Sequence, residues 1–187
     1  MSTITDYLSL LGSAIAELPE DKIRDVIETL KDAYSNGRQV FLLGNGGSAM
    51  TASHIACDLQ KGVKEVTGKR FRAMSITDNV ALMTAWANDT DYESIFAEQL
   101  DSLLQAGDVV IAISGSGNSP NVIRAVERAN ELGAITVGWT GFKGGRLAQV
   151  AQKSIVVNSD NMQRIEDVHM ILGHVVFACM MKECGAD

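Results

Sequence analysis

Residues 39–48 read QVFLLGNGGS and residues 109–120 read VVIAISGSGNSP. Each is an apolar run that stops at a glycine–serine loop and leads into a segment with helical periodicity. Short apolar runs bounded by turn signals are the pattern of strands buried on both faces. Runs at 135–138 and 154–157 look alike, and 72–76 is a weaker fifth. Helical spacing covers 48–61, 79–87, 92–105 and 119–132 between them. Two helices come first, over 5–17 and 21–36; in the second, Ile23, Val26, Ile27 and Leu30 fall on one face. Strands alternating with helices imply right-handed crossovers and a parallel sheet covered on both sides. The expected architecture is an α/β three-layer sandwich, flavodoxin-like, with a central five-stranded parallel sheet and added N-terminal helices. It is expected to be one domain over 1–187, closed by a long helix over about 162–183. In such sheets ligands sit beyond the carboxyl ends of the strands. That directs attention to the loops after Leu43 and Ile113.

The chain has 187 residues, of which 46% are hydrophobic and 21% charged, ordinary for a globular domain with its own core. Sixteen Lys and Arg against 23 Asp and Glu give a net charge of −7, the wrong sign for a nucleic-acid binder. Cys57, Cys179 and Cys184 form no CxxC pair and are an odd number, so reduced thiols and a cytoplasmic setting are expected. The start, MSTITDYLSLLGSAIAELPEDK, has no basic region ahead of an uninterrupted apolar core. The most apolar stretch, 168–181, is shorter than the ~20 residues a membrane span needs and contains His169 and His174. No membrane partner is expected. The second half of the last helix is apolar nearly all round, so it needs cover on more than one side. A second subunit is the expected cover, extra burial within the chain the alternative.

The first loop, Gly44–Ser48, is neither a Walker loop nor a dinucleotide fingerprint. Its glycines let backbone N–H groups approach a ligand at a helix start, where an anion is favoured. Any tight strand-to-helix turn can use such a loop, so alone it says little. The second loop adds Ser114, Ser116 and Ser119, with Pro120 suited to a first helical turn. Capping by Ser119 explains one hydroxyl, not three. Two such loops at equivalent strand ends point to a phosphate monoester held by hydroxyls and amides, which needs no large positive field. Beyond the first loop, His54 and Asp58 are four apart and share a helix face. Glu166, Asp167, His169 and His174 cluster near the C-terminus, so all three histidines lie in these two segments. His-x-x-x-Asp suits one divalent ion or an acid/base pair. Glu166 and His174 are ~12 Å apart along a straight helix and ~80° around it, so one ion does not easily take both from one chain. His169, ~140° from His174 by the same arithmetic, falls off that face and is expected to be buried or behind it.

GNGGS, His54 six residues later, SGSGNSPNVIRA over 114–125 and RIEDVHMILGH over 164–174 together resemble the sugar isomerase (SIS) domain. Within it the likeness is to the phosphoheptose isomerases and covers nearly the whole chain, including Asp78-Asn79 and NDTDYE over 88–93. The resemblance implies aldose–ketose isomerisation of sedoheptulose 7-phosphate through an enediol. It also implies a homotetramer with interfacial active sites and one zinc ion per subunit. Its ligand positions fall on His54, Asp58, Glu166 and His174, and its catalytic candidates are Asp58, Glu166 and His174. Its substrate positions fall on Asn45, Gly46, Gly47, Ser48, Asn88, Asp89, Ser114, Gly115, Ser116 and Ser119. Three positions depart from the family pattern. Asp58 stands for a glutamate, Glu166 for a glutamine, and Gly115 for the usual threonine. Two other readings keep the loops: an isomerase of another sugar phosphate, and a non-catalytic sugar-phosphate sensor or adaptor. The ionisable side chains at 54, 58, 166 and 174 favour an enzyme. The cations Lys61, Lys64, Lys69, Arg70 and Arg72 are expected to be solvated, or to reach a neighbouring subunit's phosphate.

Overall fold

Alternation along the strands explains the layers. A computed structural model describes residues 3–184. In β1 (Val40–Gly44), Val40 and Leu42 join one core cluster while Phe41 and Leu43 join another. The same split recurs in β3 (Val109–Ser114), where Val109, Ile111 and Ile113 oppose Val110 and Ala112. Side chains two apart share a face of a strand, so an apolar run fills both faces of one sheet. With β2 (Ala73–Ser75), β4 (Ile135–Thr140) and β5 (Lys153–Val156), the sheet has five parallel strands in the order β2-β1-β3-β4-β5. The strand order reverses between β1 and β3. A crevice opens there, between the loops after those two strands.

One face is covered by α2 (Glu20–Ser35), α3 (Gly47–Thr67) and α8 (Met162–Cys184). The other carries α4 (Val80–Asp89), α5 (Ala97–Leu103), α6 (Pro120–Glu131) and the short α7 (Leu147–Val150). The first helix, α1 (Thr3–Ala16), packs on α8. This is the expected three-layer architecture.

The differences in detail have local causes. The α3 helix runs six residues past the expected end because Val63 is buried in the core despite its charged neighbours, and it stops at Gly68 in a left-handed conformation. The expected helix over 92–105 is a 3-10 turn, Tyr92–Ser94, followed by α5; Ser94 donates its hydroxyl to Asp91, ahead of the turn. The single turn of α7 has no signature in the sequence. The α8 helix buries Ile165, Val168, His169, Leu172, Gly173, Val176 and Met180, with α1, α2 and α3 as its cover. One side of α8 is therefore covered within the chain, while Val175 is exposed and Ile171 and Phe177 are half-buried. Larger exposed apolar side chains lie on α1 (Ile4, Leu8, Leu10) and on α4 (Val80, Leu82), which has no buried residue. Among the described residues no helix is long and apolar enough to cross a membrane.

Candidate active site

The first loop turns sharply at Gly46, whose φ of 54° and ψ of −121° lie where only glycine is at ease. That turn delivers the N-terminus of α3 to the crevice. The second loop folds back so that the Gly117 N–H donates to the Ser114 carbonyl, 2.9 Å. The Ser114 and Ser119 hydroxyls lie 3.1 Å apart, and the Ser116 hydroxyl accepts from the Asn118 N–H. Ser119 makes no side-chain cap bond at the start of α6, and Pro120 occupies the first turn. Together the loops enclose a cavity of about 170 Å³ lined by Asn45, Ser48, Ile113, Ser114, Gly115, Ser116, Ser119, Met162 and Glu166. Its walls offer hydroxyls, and its one ionisable lining residue is a carboxylate. A larger cavity of about 800 Å³ lies beside α1 and shares only Ser116 with it.

The side chain of Asn45 is committed to holding the loops together. Its Nδ2 donates to Asn121 Oδ1 at 2.8 Å, while Asn121 Nδ2 donates back to Asn45 Oδ1 at 2.9 Å. The Tyr92 hydroxyl donates to the same Asn45 oxygen at 3.1 Å. Sequence reasoning named Asn45 but missed Asn121 and Tyr92 as its partners. The clue was an asparagine directly after Pro120, a poor helix former at a buried position. Gly115 also finds its reason here. A Cβ there would fall 2.4 Å from the Met162 sulfur, so the methionine fills the space that a threonine would use.

Helices α3 and α8 run side by side, and two groups of contacts stand along the stretch nearest the strand ends. Near the strand ends, the Glu166 carboxylate lies against Gly47, within 2.8 Å of where a Cβ would stand. About two turns further along, His54 and His174 meet with Nε2 atoms 3.0 Å apart. Asp58 Oδ2 is 3.3 Å from His54 Nε2 and 3.9 Å from His174 Nε2. His54 and His174 are half exposed and Asp58 less so. The three ligand atoms all lie within 4.8 Å of one another.

That donor set fits a divalent ion. Zinc with bonds near ~2.1 Å places its tetrahedral ligands roughly 3.4 Å apart, and the three separations bracket that distance. Two imidazoles and a carboxylate suit a borderline-soft ion. Glu166 is not in this group; it lies at the serine-loop end, lining the small cavity, as the ~12 Å rise requires. Asn88 and Asp89 lie on the last turn of α4, exposed, with Asn88 Nδ2 donating to Asp89 Oδ1, and neither lines the small cavity. Of the basic stretch, Lys69 donates to the Tyr34 and Ser35 carbonyls and Arg72 to the Gly37 carbonyl. Both are thereby tied to the end of α2. His169 is buried as expected, and burial pushes its pKa down to about 4.

The SIS domain model matches residues 5–141. The chain is 42% identical to the phosphoheptose isomerase of Aquifex aeolicus over 163 residues, covering 87% of this chain and 85% of that one. The structure of the Neisseria gonorrhoeae phosphoheptose isomerase superposes with a TM-score of 0.87 at 28% identity, over 95% of this chain and 96% of that one. That of the Francisella tularensis phosphoheptose isomerase gives 0.87 at 27%, over 97% and 100%. With two glycine–serine loops at the switch point and an imidazole–carboxylate cluster two turns away, the chain belongs to the SIS-domain family, among its phosphoheptose isomerases.

Proposed function

We propose that this chain is an aldose–ketose isomerase that interconverts sedoheptulose 7-phosphate and D-glycero-D-manno-heptose 7-phosphate through an enediol. The observation that carries the proposal is the spacing along the α3–α8 pair. Substrates of this kind hold the phosphate at one end of a seven-carbon chain and react at the other. Gly47 and His54 are separated by about 10 Å of helix rise, the scale of such a chain laid between the small cavity and the cluster.

In this scheme Ser114, Ser116, Ser119 and the N-terminus of α6 hold the phosphate, with Asn45, Gly46, Gly47 and Ser48 closing the loop side. Asp58 takes the carbon-bound proton at C1 or returns it at C2. Its place beside two imidazoles sets it near the substrate's reacting end. His174 exchanges protons with the sugar oxygens, moving charge off the enediolate. Glu166 lies at the loop end of the pair, on the wall of the small cavity, where its carboxylate accepts hydrogen bonds from the sugar hydroxyls. His54, Asp58 and His174 would hold a divalent ion, zinc being the family's metal; bound there in place of the proton on His174 Nε2, it would supply Lewis-acid polarisation of the substrate carbonyl.

The apolar side chains exposed on α1 and α4 support assembly into the tetramer typical of the family. Subunit association would also bring the exposed Asn88 and Asp89 to a neighbouring site.

The test is turnover of sedoheptulose 7-phosphate by purified protein, before chelation, after it, and with zinc restored. Turnover that falls on chelation and returns with zinc supports isomerisation with a functional metal. Turnover indifferent to chelation removes the metal's role. No turnover from folded protein that binds the sugar phosphate overturns the assigned reaction.

A further inference from the structure

His169 takes no part in the scheme above, yet it sits at a junction. It lies on α8 one turn after Glu166 and is 1% exposed. Its Nε2 lies 3.1 Å from the Thr140 carbonyl oxygen. A carbonyl only accepts, so that nitrogen carries the proton. The same carbonyl accepts the Val157 N–H at 2.8 Å. The N–H on the other side of this one peptide plane, that of Gly141, donates to the Gly115 carbonyl in the second loop at 2.9 Å. Ile165 lies directly on Gly141, with three side-chain atoms within 2.7 Å of where a Cβ would stand. One peptide group thus connects helix α8, through His169, to the serine loop, through Gly115.

A leucine at 169 would pack without needing a partner. A histidine there must leave Nδ1, which has no hydrogen-bond partner among the described residues, next to the Trp139 ring. Burying a polar ring is costly unless its hydrogen bond is needed. We propose that His169 is a positioning residue: through the Thr140–Gly141 peptide it sets the distance between the serine loop and the acid–imidazole side chains that α8 carries, Glu166 and His174. The inference deepens the isomerase proposal and rests on it.

The test compares H169L and H169M, two apolar replacements that cannot donate, with H169Q, whose amide Nε2 donates from nearly the same place. Loop and acid–base groups misplaced relative to each other lower kcat by about tenfold or more while KM changes little. Exchange of the Gly141 amide should rise in both apolar variants. H169Q should recover kcat to within about threefold of wild type and restore protection of that amide. Wild-type kcat in H169L or H169M overturns the proposal, and so does an H169Q as slow as they are. The amide-exchange comparison needs no substrate. A wild-type protein that fails to isomerise the heptose phosphate therefore sinks the isomerase reading, while exchange unchanged across all the variants sinks this one. If H169L does not fold, the flexible methionine variant carries the same comparison.

Discussion

Two groups of contacts along the α3–α8 pair are built from different material. At the strand end, Gly47 meets Glu166, Gly115 meets Met162, and the loops touch through glycines and hydroxyls. Two turns away, His54, Asp58 and His174 meet on a largely exposed face through side-chain atoms alone. The first group depends on space and backbone direction, so added volume disturbs it. The second depends on ionisable atoms, and change of chemistry at constant volume disturbs it. The proposed binding and proton-transfer groups thus lie in parts of the chain that fail in different ways.

The largest test of this contrast is Asp58→Asn, which keeps the volume and removes the negative charge. We expect kcat to fall about a thousandfold with melting temperature and phosphate affinity little changed. Wild-type turnover from that variant would erase the distinction between the two groups.

Between the two groups lies His169, whose burial adds a pH-dependent effect on stability to its proposed positioning role. Unfolded, its imidazole gains a proton below pH 6.5; folded, burial holds the pKa at about 4. As pH falls through that window the unfolded state binds more protons, so folding loses stability, up to about 3 kcal/mol by pH 4. Above pH 6.5 the loss is absent. Urea midpoints at pH 7.5 and 5 should therefore drop more for the wild type than for H169M. Equal drops would place the pH sensitivity elsewhere.

The smallest effect is expected at the hydroxyl-lined end. Ser119→Ala removes one of several phosphate donors and should raise KM about tenfold with kcat nearly unchanged. A matching fall in kcat would mean that this end also serves the chemical step.

Much of this was legible in the sequence because the signals are local. Apolar runs ending at glycine gave the strands, and the four-residue spacing of His54 and Asp58 put them on one helix face. The distance between Glu166 and His174 also followed from helix geometry. What the sequence could not show is contact across elements. Asn45 pairing with Asn121, Met162 filling the space at Gly115, and the His169 link to Thr140 all join residues from 29 to 76 apart, and no periodicity encodes them. The cover of α8 shows the same limit: an apolar helix needs partners, but its pattern does not say whose.

The glycines of the second loop also govern how this sequence can drift. Gly115 faces the far end of a flexible methionine side chain, so a bulkier residue at 115 can be accommodated if position 162 changes with it. Gly117 instead meets Gly144 and Gly145 backbone to backbone, within 2.1 Å of the Gly144 oxygen for any added Cβ. No exchange of side chains relieves a contact between main chains. Positions 115 and 162 can wander as a pair over evolutionary time, whereas 117 and 145, set main chain to main chain, have no compensating neighbour.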